Sequence, residues 1–108
     1  MASRAEQFQA LVAQQPQNPL FRFSLAQALV AENRAPEAVP HYEFCVASNA
    51  DWMMPRILLG KLLLLQHRPA TAQPLLTAAL RLAVQQQHEE PERELRALLK
   101  DLPAAAAD

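Results

Sequence analysis

The chain has 108 residues, 51% of them hydrophobic and 19% charged, with a net charge of −1 at neutral pH; that balance excludes a disordered segment and fits one small globular domain, residues 1–108. Ten Lys and Arg without a basic cluster leave no electrostatic footprint for a nucleic-acid partner. A single Gly and the prevalence of Leu and Ala favour helix over hairpins, and the lone Cys45, with no internal disulfide partner, suits a reducing, cytoplasmic setting.

Met1 to Arg4 lead directly into a polar amphipathic stretch with no apolar signal core. Over 3–15, Phe8, Leu11, Val12 and Gln15 fall at helical spacing, and Ser3 with Glu6 three residues later reads as a capping box. The stretch Gln14 to Pro19 is a break, because each proline disfavours the helical conformation in the residue before it. Asn18 is the expected cap of a second helix with Pro19 as its first residue, running to Asn33, which suits a left-handed terminus. Pro36 opens a third helix to about Ser48, presenting Ala38, Tyr42, Cys45 and Val46 at spacings of three and four, with Pro40 one turn in.

Asn49 to Trp52 connect to a fourth helix over about 53–66 that is apolar almost all round. Its greasiest run, Ile57 to Leu65, is interrupted by Lys61 and is far shorter than the roughly 20 residues a bilayer span needs, so membrane insertion is not expected. A fifth helix follows over about 70–87 with Leu75, Leu76, Ala79, Leu80 and Ala83. Pro91 opens a sixth, 91–102, whose stripe is Leu95, Leu98, Leu99 and Leu102 and whose other positions are charged, the one-sidedness of a capping helix. Residues 103–108, Pro103 with four Ala and Asp108, read as a frayed tail.

The chain repeats itself 34 residues along. Leu25-Ala26-x-x-Leu29 returns as Leu59-Gly60-x-x-Leu63; Ala38, Tyr42 and Cys45 return as Ala72, Leu76 and Ala79; Arg34 and Pro40 return as Arg68 and Pro74. Going back from Tyr42, Cys45 and Val46 reaches Phe8, Leu11 and Val12, so one unit appears twice in full, about 19–52 and 53–86, and once in half. This pattern resembles the tetratricopeptide repeat, a 34-residue pair of antiparallel helices with a Leu-Gly or Leu-Ala pair in the first helix and Ala, an aromatic and Ala in the second. Phe8 and Pro16 fall on the second-helix aromatic and closing proline of a truncated leading unit. Arg22 and Arg56 replace the family's bulky residue near the start of each first helix, Ala50 and Val84 its closing proline, and neighbouring Phe21 or Phe23 is expected to take the aromatic role. The resemblance implies an all-α fold: a right-handed superhelix of about six helices, comprising a half repeat, two full repeats and a capping helix.

No catalytic constellation stands out. His41, His67 and His88 lie on separate elements, without the spacing of a metal site. Cys45 sits at a small-residue packing position with no activating neighbour, and Glu89, Glu90, Glu92 and Glu94 collect at a helix start, where they complement the dipole. With one Gly, no phosphate loop is possible. The chain is therefore expected to be no enzyme and to carry no metal or cofactor.

The resemblance further implies a concave face lined by the first helix of each unit, which holds a peptide or a partner helix. Carried over, that groove comprises Leu20, Phe23, Gln27 and Val30, then Met54, Ile57, Leu58, Lys61 and Leu64. Of the Lys and Asn with which one subgroup grips a C-terminal carboxylate, only Lys61 is present, so an apolar or amphipathic segment of a partner protein is the expected ligand. The alternative is a self-associating structural subunit whose groove is covered by its own last helix.

Overall fold

A computed structural model describes residues 2–102, so the expected frayed tail at 103–108 lies outside the described residues. Among the described residues the chain is all-α, with no strand: α1 (Arg4–Gln14), α2 (Pro19–Ala31), α3 (Ala35–Ser48), α4 (Met53–Leu65), α5 (Pro69–Gln85) and α6 (Glu89–Lys100).

The helix starts follow from local chemistry. Ser3 and Glu6 form a reciprocal capping box on α1, and the Asn18 side chain accepts from the Leu20 amide at 3.0 Å with Pro19 in the first turn of α2. α6 starts at Glu89 rather than Pro91, which places the proline third in the helix; a first-turn amide has no intrahelical partner, so proline is tolerated there.

Three helix ends share one motif. Asn33, His67 and Gln87 all have positive φ, 61°, 59° and 59°. After α2, the Arg34 amide donates to Leu29 O at 2.8 Å and the Asn33 amide to Val30 O at 3.1 Å; α4 and α5 close in the same way, through Arg68 to Leu63 O at 2.9 Å and His88 to Ala83 O at 2.9 Å. The left-handed residue turns the chain directly into the following helix. Pro40 and Pro74 lie inside α3 and α5 at equivalent places, both on exposed positions.

The repeat is carried in the element bounds themselves. α2 and α4 each have 13 residues and begin 34 apart, at Pro19 and Met53, and α3 and α5 begin 34 apart, at Ala35 and Pro69. α5 runs to Gln85, however, so α6 begins 36 residues after α4.

The chain divides after Pro55, in the first turn of α4, into two compact units. In the first, α2 packs against both α1 and α3. Leu25, Ala26, Ala38 and Cys45 are each 0% exposed there, and Val12, Leu29 and Tyr42 nearly so. In the second, α5 packs against α6, and Gly60 brings α4 against Leu76 of α5. Leu59, Leu63, Leu76, Ala79 and Leu95 are buried in that unit. No polar or charged residue is buried among the described residues, so apolar burial and close packing hold both units together.

Candidate functional site

In the first unit, Leu20, Phe23, Gln27 and Val30 recur at spacings of three and four, which puts them on one face of α2. Leu20 is 64% and Val30 39% exposed, Gln27 is exposed, and Met54 at the start of α4 is 43% exposed. Beside Gln27 a depression of ≈ 330 Å³ is lined by Arg4, Ser24, Gln27, Ala28, Ala31 and Glu32. The Glu32 carboxylate accepts from the Ala5 amide at 3.0 Å, which ties the end of α2 to the start of α1.

Phe23 does not project freely from this face. Its ring meets Tyr42 edge-on at 6.0 Å and Trp52 at 5.1 Å, and it is half-buried. Of the two neighbouring phenylalanines it is Phe23 that packs on other aromatic rings, with Trp52 as a partner that the sequence assigned only to a connection. Burial pushes the Tyr42 hydroxyl up to about 12, so this cluster is neutral throughout the ordinary range.

Arg22, which in sequence only marks a departure from the repeat, joins three segments. Its Nε donates to Pro16 O at 3.0 Å, its Nη1 lies 3.3 Å from His41 Nδ1, and its guanidinium stands 4.5 Å from the centre of the Phe44 ring. Arginine only donates, so His41 Nδ1 accepts and the ring is neutral with its proton on Nε2. Burial and then the Arg22 charge hold the His41 imidazolium below its ordinary pKa. The sequence signal for this cluster is the spacing of His41 and Phe44, three apart on one face of α3, opposite Arg22, the one charged residue of α2.

In the second unit Ile57 is only 3% exposed. It belongs to the core rather than to an open surface, which corrects its place among the groove residues: α4 is apolar almost all round, and periodicity does not say which side is covered. Leu58, Lys61 and Leu64 are half-buried and lie on one side of α4. Lys61 Nζ pairs with Glu94 Oε1 of α6 at 2.9 Å, so the polar residue expected to meet a ligand is engaged by the chain's own last helix. Leu65, next to this set, is 81% exposed.

Cys45 is fully buried and its thiol donates to Pro19 O at 3.4 Å; burial pushes it up to about 11, which leaves a protonated and inert sulfur. Among the described residues, no three His, Cys, Asp or Glu side chains gather as a metal ion would require, and no helix is long and apolar enough to cross a membrane. No family model, curated protein or solved structure matches the chain.

Proposed function

We propose that the protein is a non-catalytic interaction module of the tetratricopeptide-repeat kind, which receives an apolar or amphipathic segment of a partner protein on the exposed face of α2. The observation that carries this reading is the exposure of Leu20 and Val30, 64% and 39%, on the same helix face as Gln27, while the residues that repeat at 34, such as Leu25 and Ala26, are fully buried. Support for the repeat comes from the equal lengths of α2 and α4, the matched starts of α3 and α5, and the left-handed residues Asn33 and His67. In this reading the helix pairs wind as a right-handed superhelix, and the buried free thiol of Cys45 fits a reducing cytoplasm.

Apolar side chains that share one exposed face of a helix whose other face is packed can form a docking surface. On α4 the corresponding face is partly engaged by α6 through Lys61 and Glu94, so α2 carries the binding. The test is differential capture from the native host. Leu20→Glu with Val30→Glu should lose partners that wild type retains, while Val84→Glu, at a 46% exposed position on α5, keeps them. Equal capture by the α2 variant, with its helical circular dichroism unchanged, would place the binding surface elsewhere.

A further inference from the structure

We propose that Arg4 and Arg96 are end-stops, each setting a guanidinium where the repeat elsewhere carries a buried small residue and so preventing a further helix of this kind from stacking on the array. The inference rests on the repeat reading above.

Counting from the first residue of α2, α4 and α6, the seventh position holds Leu25, Leu59 and Leu95, exposed by 0%, 2% and 0%. The eighth holds Ala26, Gly60 and Arg96. Ala26 and Gly60 are buried, and a single Cβ added to Gly60 would lie 2.5 Å from Leu76 Cδ2, so the following helix comes very close at this point. Arg96 projects instead, 59% exposed, with its Nε held 3.0 Å from Glu92 Oε2 one turn back. At the other end, α1 and α3 finish 34 residues apart, at Gln14 and Ser48, which aligns Arg4 with Ala38 and Ala72. Both alanines are 0% exposed. Arg4 is exposed and lies 5.8 Å from the centre of the Phe8 ring.

What surrounds each arginine shows what it guards. Phe8 stands at the position of Tyr42 and Leu76, which are 2% and 0% exposed, yet it is only half-buried. Leu99 stands at the position of Leu29 and Leu63, 3% and 2% exposed, and is also half-buried. Each terminal helix thus keeps apolar surface that one more helix could cover, with a charge at the one point where that helix must approach. Burying a guanidinium there, away from the water that solvates it, is prohibitive. The two helices are stops by residue identity, not by place in the chain. Such stops matter because one open end fits the other, and a head-to-tail contact that does not close grows without limit.

The test is sedimentation velocity from low to high micromolar concentration on wild type, Arg4→Ala, Arg96→Ala, the double variant, and a 1:1 mixture of the single variants. Both positions are exposed, so the variants keep the fold. Wild type and each single variant should sediment as one species, the mixture should form a 1:1 pair, and the double variant should show a series that lengthens with concentration. A double variant that stays a single species, a wild type that already forms such a series, or single variants that associate alone as strongly as when mixed would overturn the proposal. Ala38→Arg and Gly60→Arg serve as interior controls and should abolish the cooperative unfolding transition. If both fold like wild type, the repeat reading itself fails; if they unfold while the double variant remains a single species, only the end-stops fail.

Discussion

Gly60 and Leu76 are in contact so close that a Cβ on Gly60 would lie 2.5 Å from Leu76 Cδ2 and 2.7 Å from its Cγ. Leu76 is 0% exposed and so cannot swing out into solvent. Gly60→Ala gains about 1 kcal/mol of helix propensity, but overpacking a full core costs roughly 1–3 kcal/mol. A net loss of about 1 kcal/mol is therefore expected, with relief when Leu76 is shortened to Ala. In a urea-unfolding cycle the two changes should couple by about 1 kcal/mol. Strict additivity would mean that the helices have room to part. The residues 34 positions earlier are Ala26 and Tyr42, each larger than its counterpart and each buried.

The three left-handed helix ends respond differently to glycine. A non-glycine residue at positive φ costs roughly 1–2 kcal/mol, with Asn among the most tolerant. Against this, glycine loses more entropy on folding. Gln87→Gly and His67→Gly should each raise stability by about 0.5–1 kcal/mol, and Asn33→Gly should change it little. Melting temperatures of the three variants check this order, and a gain confined to Asn33 would contradict it.

His41 sets a pH dependence for the first unit. Its pKa is lowered in the folded chain, first by burial and then by the Arg22 charge, so the unfolded chain binds its proton more readily. The stability it contributes is fully present above its unfolded value of about 6.5 and is lost as pH falls through the folded value. Fluorescence of the single Trp52, packed on Phe23 in the same unit, should report a melting temperature that drops between about pH 7 and pH 5. His41→Gln should flatten that slope; an unchanged slope would assign the dependence to another group. Arg22→Met removes the bonds to Pro16 and His41 and the Phe44 contact together, for an expected loss of about 1–3 kcal/mol.

The helix starts at Ser3 and Asn18 were legible because caps are local chemistry, and Asn33 was legible because its side chain tolerates positive φ. Gln87 adopts the same turn with no side chain that favours it, so its end rests on backbone hydrogen bonding, and His67 was passed over although histidine tolerates positive φ better than most residues. The later start of α6 relative to the repeat was hidden by Pro91, which marks a helix start but is tolerated anywhere in the first turn. Of the candidate surface, Leu20, Gln27 and Val30 were readable as positions on α2 that do not repeat. Ile57 was not, since a helix apolar almost all round does not reveal which side is covered, and the Lys61 contact with Glu94 depends on how α6 returns to α4.

Ala72 tests most directly the claim that the 34-residue register separates packing positions from surface positions. It is 0% exposed, whereas Ala70, two residues earlier on the same helix, is exposed. The decisive measurement is the urea-unfolding free energy of Ala72→Glu beside Ala70→Glu. A buried charge in a close helix contact should cost several kcal/mol, and the exposed control should stay within about 0.5 kcal/mol of wild type. Equal stabilities for the two variants would contradict the register and, with it, the assignment of the exposed α2 face as the binding surface.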